Sequence, residues 1–290
     1  MVSHIINILA MKTVFVVLHY CQKEITEDCV KSLLALEGNK EIIVVDNASP
    51  DRSGIYLSEK YKNEKFVHVI LNSNNLGFAS GNNMGYAFAK KNLAPECIVV
   101  MNNDTVISDK AFLNKLEGLE ELCSCEIIAP DILTYKGYHQ NPYRRNGLGL
   151  EGYELMLKRK LKGRWFYSIP FLYKFRNLDA FSSTCNEFVD RRVENVVPHG
   201  AAVIFTSRWI DNEGFAFYPG TFMYYEEDLL YCYAMSKNYR IVYEPSIQIR
   251  HLEDASTNAV HKNVRKRVLF QTRQKIKSLR IIVDFLRANQ

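Results

Sequence analysis

The sequence predicts an α/β protein built on a Rossmann-like, mostly parallel sheet flanked by helices. Three observations predict it. Continuous apolar, β-branched runs recur along the first half of the chain, amphipathic segments alternate with them, and polar turn-forming residues gather where each run ends. With 290 residues, 47% of them hydrophobic and 12% aromatic, the chain has ample material for a packed core and fits one large domain or two closely joined halves.

Residues 13–20 (TVFVVLHY) suit a strand buried on both faces, as in a parallel sheet. Residues 27–36 put Cys29, Val30, Leu33, Leu34 and Leu36 on one side, which predicts a helix that Gly38 and Asn39 stop. A second buried strand follows over 41–45 (EIIVV) and ends in a turn-forming cluster from Asp46 to Asp51. Helices over 56–61, 81–91 and 111–122, with strands over 67–71 and 97–101 (CIVVM), continue the alternation. Such alternation makes right-handed βαβ units, whose ligands sit beyond the carboxyl ends of the strands. After about Pro130 the rhythm breaks, and residues 135–190 carry no clean periodicity. A strand-like run returns over 193–205, then a helix over 226–237 and short strands over 240–243 and 247–250.

The formal net charge of +5 is ordinary, and much of the basic excess is terminal. Between 262 and 280 lie Lys262, Arg265, Lys266, Arg267, Arg273, Lys275, Lys277 and Arg280 with no acid among them. Interleaved Val268, Leu269, Ile276, Leu279, Ile281, Ile282 and Phe285 predict an amphipathic helix. Packing on its own domain is the first expectation for it, and peripheral contact with the inner face of the cytoplasmic membrane is the second. The seven cysteines are odd in number and none has CxxC spacing, which suits reduced thiols in the cytoplasm. The first ten residues lack the leader and cleavage site of a secretory signal, and no run approaches a membrane span.

The chemistry-bearing residues cluster at strand ends. Asp46 closes the second strand, and Asn102, Asn103 and Asp104 close the fourth, so the sheet aims them into one crevice. An acid after an early strand can bind ribose hydroxyls, and an Asp after a later one can hold a divalent cation bridging two phosphates. Taken singly, each serves equally well as a turn former or helix cap. Between them the amide-rich stretch 72–85 (NSNNLGFASGNNMG) leads into a helix whose N–H groups and dipole favour a diphosphate, although its spacing matches no standard phosphate loop. Further on, Glu226, Glu227 and Asp228 follow the aromatic run FMYY. Desolvation there can make an acid a base, while the helix dipole alone also favours acids at that place. His251 follows a strand at a position where imidazole can join a metal site.

Taken together, VVLHY, VVDNASPD, NLGFASGNNMG, VVMNNDT, FMYYEEDLLYCY and YEPSIQIRH, in that order, resemble the motifs of family 2 glycosyltransferases, especially the bacterial rhamnosyltransferase-like branch. The resemblance runs from Lys12 to about Thr257. It implies a GT-A fold with a smaller acceptor-side sheet and a C-terminal helix. The nucleotide-sugar half then covers 12–125, the acceptor and catalytic-base half 126–257, and a basic amphipathic tail 258–290. Carried over residue by residue, it puts Asp46 on the nucleoside, with His19, Tyr20, Asn47, Asn75, Gly77, Asn83, Asn102 and Asn103 around the nucleotide-sugar. The family's Asp-x-Asp metal motif falls on Asn102-Asn103-Asp104, so only Asp104 keeps a carboxylate. Mg2+ or Mn2+ held by Asp104 with Asn102, the diphosphate and waters remains chemically reasonable, and His251 is placed where histidines complete the site in some relatives.

The family's Glu-Asp motif, whose second acid is the catalytic base, falls on Glu226-Glu227. Glu227 is then the base, and a register shift of one residue gives Asp228. The implied reaction is a single inverting displacement from a nucleotide diphosphate-sugar to a hydroxyl of a glycan or lipid-linked glycan, in bacterial capsule, O-antigen or exopolysaccharide synthesis. Hexose or rhamnose is the transferred sugar. His199 and Gly200 fall on the acceptor side, and the irregular stretch 135–190 shapes the acceptor pocket. No nucleic-acid partner is expected. Two other readings stay open: a sugar-nucleotide nucleotidyltransferase, against which His19-Tyr20-Cys21-Gln22 offers no glycine-rich triphosphate loop, and a non-catalytic subunit of a polysaccharide assembly complex, which the missing carboxylate at Asn102 permits.

Overall fold

The computed structural model describes residues 10–169, 188–252 and 264–289, whose strands pair into one nine-stranded sheet. Strands β1 (Thr13–His19), β2 (Lys40–Asp46), β3 (Val67–Leu71) and β4 (Cys97–Asn102) are parallel, in the order β3-β2-β1-β4. Their side chains alternate between two cores. Phe15 and Val17 face one layer of helices, Val14 and Val16 the other, which is why the runs are apolar throughout. The first layer is α1 (Lys23–Leu34), α2 (Ser53–Tyr61) and α4 (Phe112–Glu117), packed through Leu33, Leu57 and Leu116. On the other face lie α3 (Gly77–Asn92), α6 (Ser207–Asn212) and α7 (Glu226–Ser236), packed through Tyr86, Trp209 and Leu230.

Beyond β4 the same sheet continues through β8 (Ala202–Thr206), β6 (Ile127–Thr134), β9 (Ile241–His251) and β5 (Thr105–Val106), with β7 (Val193–Glu194) beside β9. Pairing there is mostly antiparallel, and the strands expected to form a smaller, separate sheet extend the main one. The run over 193–205 splits into β7 and β8, because Asn195 turns through a φ of 54° between them. The two short strands at 240–250 are one strand, β9. The helix over 111–122 breaks at Gly118 into α4 and a 3-10 turn, Glu120–Cys123.

The unassigned stretch holds α5 (Gly149–Ser168), which pairs with α8 (Val264–Ala288). They run antiparallel: Arg265 donates to the Ser168 carbonyl at 2.6 Å, and Arg287 meets Glu154 at 2.5 Å at the opposite end. Leu279, Ile282 and Val283 of α8 fill a third core with Tyr153 of α5 and Leu229 and Cys232 of α7. The basic terminal segment is therefore built into the body of the protein. Residues 170–187 of the irregular stretch and the expected boundary at 257/258, with Lys262, lie outside the described residues.

Candidate active site

Strand order reverses between β1 and β4, and a cavity of about 340 Å³ opens there, at the carboxyl ends of these strands. Tyr20 after β1, Asn47 after β2, Asn75 and Gly77 at the start of α3, and Asn102 and Asn103 after β4 all line it. Asn47 organises this wall. Its amide donates to Asn75 Oδ1 (3.1 Å) and the Gly77 carbonyl (3.0 Å), while its oxygen accepts the Leu76 N–H at 2.9 Å. Gly77 is required here. Its φ is +80°, and a Cβ would stand 2.3 Å from the Phe222 carbonyl, which also accepts the Phe78 N–H.

Three residues expected around the donor face the protein instead. The His19 ring is fully buried, with Nδ1 bonded to Thr26 and Nε2 to Ser53, so it props the turn behind the cavity. Asn83 points the other way along α3. Its oxygen accepts the Ala216 and Phe217 N–H groups and its amide donates to the Phe217 carbonyl, so it clamps a loop. Asp46 is 6% exposed and accepts the Ser49 hydroxyl at 2.5 Å. Gly54 packs on its carboxylate so closely that a Cβ would lie 2.2 Å away, and Asp46 is not among the residues lining the cavity.

Beside the cavity, β5 pairs with the end of β9 and brings Asp104 to His251, with Oδ1 3.2 Å from Nε2. His251 Nδ1 donates to Gln140 Oε1 at 2.7 Å, which turns Nε2 toward the carboxylate, where an unprotonated Nε2 can act as a metal ligand. Asp104 Oδ1 is buried and lacks a hydrogen bond. Two acceptors this close, buried together, fit a cation between them. Among the described residues no cluster of three or more His, Cys, Asp or Glu forms a metal cage, so such an ion would depend on the substrate and water for its other ligands. Asn102 lines the neighbouring cavity. The His199 ring stacks edge-on 5.8 Å from His251, and burial together with His251 pulls its pKa down to about 3, so it is neutral.

The acidic motif opens α7. Tyr224 and Tyr225 precede it with φ of 74° and 67°, a strained path that sets where the acids point. Glu227 does not line the cavity but lies close to a residue that does: its Oε2 is 3.6 Å from where a Cβ on Gly200 would be, and Phe78, which lines the cavity, is 3.9 Å from the same point. Burial raises the Glu227 pKa, opposed by backbone hydrogen bonding and by Arg144 and Lys275. Glu226 is buried behind it and is pushed up to about 8 by burial and by the Glu227 charge. Asp228 turns away. It is fully buried, ion-paired to Arg144 and bonded to the Tyr153 hydroxyl at 2.7 Å, which makes it an anchor between α7 and α5 and corrects its place as the alternative base.

The cavity's remaining wall was not foreseen. Arg267, Phe270 and Gln271 of α8 complete it opposite Tyr20 and Asn47. Their i, i+3, i+4 spacing marks one helix face, but the surrounding Lys and Arg residues hide that face in the sequence.

An open α/β sheet with a ligand cavity at its switch point, bordered by an Asp-His pair and a desolvated Glu, is the architecture of a GT-A protein. Residues 13–178, more than half of the chain, match the family described as Glycosyl transferase family 2, and the chain belongs to that family. A similar protein is the low-salt glycan biosynthesis hexosyltransferase of Haloferax volcanii, 30% identical over 117 residues, or 40% of this chain and 36% of the relative. The match thus spans about a third of the relative's length. In fold, the chain resembles the mannosyltransferase PcManGT of Pyrobaculum calidifontis, solved with GDP-Man and Mn2+, at TM-score 0.52 and 10% identity, covering 96% of this chain and 73% of that one. It also resembles residues 1–349 of TarS from S. aureus at TM-score 0.54 and 12% identity, covering 97% and 92%.

Proposed function

We propose that the protein is an inverting glycosyltransferase that moves a sugar, hexose or rhamnose, from a nucleotide diphosphate-sugar to a hydroxyl of a glycan or lipid-linked glycan in cell-surface polysaccharide synthesis. The observation that carries this reading is the position of Glu227. Its carboxylate stands beside Gly200, close to Phe78 in the cavity wall, and the neighbouring His199 packs on His251 of the Asp104–His251 pair. The absence of a side chain at Gly200 leaves the carboxylate open to an acceptor.

The donor occupies the cavity, where Asn47 and the N–H groups opening α3 favour its diphosphate. Glu227 takes the acceptor's hydroxyl proton as that oxygen attacks the anomeric carbon, and the diphosphate departs with the electrons of the broken C–O bond. Desolvation strengthens Glu227 as a base, and Glu226, neutral below about pH 8, spares it a second charge. Asp104 and His251 would hold Mg2+ or Mn2+, and the chemistry such an ion supplies is neutralisation of charge on the leaving diphosphate. PcManGT, of the same fold, was solved with Mn2+.

A general base contributes about 10²- to 10⁴-fold, so Glu227→Gln should lower kcat by that factor and leave donor affinity nearly unchanged. Asp228→Asn should act on stability instead, lowering the melting temperature through the loss of Arg144's partner. Near-normal kcat in folded Glu227→Gln would remove Glu227 as the base, whereas no transfer by the parent chain itself would favour the non-catalytic relative that Asn102 permits. Chelation with EDTA should stop transfer, and Asp104→Asn should weaken donor binding in Mn2+ with the fold intact; full transfer in EDTA overturns the metal's part.

A further inference from the structure

The outward faces of α5 and α8 form one cationic surface, and we propose that this surface docks the protein on a membrane rich in anionic lipid. On α8 the exposed positions are Lys266, Arg273, Lys277, Arg280, Asp284 and Arg287, and helical spacing lines them along one narrow stripe. The opposite side of that helix, with Ile276, Leu279, Ile282 and Val283, is buried, so the orientation of the stripe is fixed by packing. Next to it α5 exposes Lys158, Arg159, Lys162 and Arg164 against one exposed acid, Glu151. Arg287 bonds Glu154 across the seam while itself 59% exposed, which shows that the two outer faces look to the same side.

Charge alone would suit any polyanion, and the apolar residues decide among them. Trp165 is 61% exposed, and Leu155 and Leu161 are 49% and 37% exposed, on the same helix as the α5 cations. Exposed leucines and the exposed face of an indole among Lys and Arg suit a headgroup and acyl boundary, whereas a nucleic-acid backbone offers the cations partners and the leucines none. Anionic lipid attracts each basic residue held within a Debye length of its surface, so a stripe of this length binds cooperatively without a spanning helix. The same α8 supplies Arg267, Phe270 and Gln271 to the cavity wall, so docking brings the crevice to the membrane plane. The value of that placement for a lipid-linked acceptor rests on the proposed transfer, but the docking does not.

The test uses the full chain and sedimentation with vesicles of phosphatidylcholine, with and without phosphatidylglycerol. Binding should require phosphatidylglycerol and should be lost at about 1 M NaCl, where the Debye length is about 3 Å. The triple variant Arg273→Glu, Lys277→Glu, Arg280→Glu should bind about tenfold more weakly or worse, with an unchanged melting temperature because all three side chains are exposed. Tryptophan emission should shift to the blue on vesicles and Trp165→Phe should abolish the shift, since Trp209 is fully buried. Equal vesicle binding by the triple variant overturns the proposal, as does tight binding to single-stranded DNA with none to vesicles. Docking without any sugar transfer would leave this inference standing and remove the proposed activity.

Discussion

Glu226 and Glu227 are chemically alike and adjacent, yet the fold gives them different work. Glu227 lies beside Gly200 and close to the cavity-lining Phe78; Glu226 is 4% exposed, with its pKa pushed up to about 8. A carboxyl whose folded pKa exceeds its unfolded value binds more protons folded than unfolded between those two values, so stability falls as pH rises. The window here runs from the ordinary carboxyl value of 4.5 to about 8, with a slope of at most about 1.4 kcal/mol per pH unit. Glu226→Gln, which stays neutral, should therefore lose less melting temperature between pH 5 and 8 than the parent. Identical slopes for the two proteins would show that Glu226 ionises freely. The sequence revealed which polar residues gather at strand ends, because buried strands leave them nowhere else to go. It did not reveal which way each one faces. Asn75 and Asn83 lie in the same amide-rich stretch, but one lines the cavity and the other clamps the 215–217 loop, a difference set by contacts distant in sequence.

Elements were legible where periodicity is local and obscure where a proline sits inside a strand. Pro130 interrupts β6, and Glu244, Pro245 and Ser246 interrupt β9, so the sequence reads as a break and as two short strands. In the sheet these interruptions meet: Pro130 pairs with Glu244 and Asp131 with Gln248, so one bulge absorbs both prolines. Helix α5 was obscure for another reason, since it buries only a narrow stripe, around Tyr153, against a helix more than a hundred residues later. By contrast α3 was visible, and its start is the element most exposed to a single change. Gly77→Ala combines a left-handed backbone with a Cβ against the Phe222 carbonyl. It should cost about 2 kcal/mol or more, or about 4–8 °C in melting temperature, and weaken donor binding as the turn held by Asn47 opens. A stable Gly77→Ala protein with normal affinity would show that this turn has slack.

At the scale of the whole molecule the decisive piece is α8, which reads in sequence as a separable tail. In the fold it lines the switch-point cavity and completes a core, and these two roles predict separable losses. Ending the chain before Val264 removes Ile276, Leu279, Ile282 and Val283 from burial. At roughly 1.5–3 kcal/mol each, that is comparable to the whole stability of a domain, so the shortened chain should not fold stably. A free tail would leave the melting temperature where it was. The cavity role needs a gentler change. Phe270 lines the switch-point cavity with Leu18, Tyr20, Phe78 and Phe222, and Gln271 lies next to it in the same wall. Phe270→Ala removes apolar surface from the cavity without touching the core beneath α8. It should weaken nucleotide-sugar binding about tenfold, measured by calorimetry with GDP- and UDP-sugars, while the melting temperature moves by only a few degrees. Unchanged affinity in Phe270→Ala together with an unchanged melting temperature in the shortened chain would return α8 to the status of an appendage.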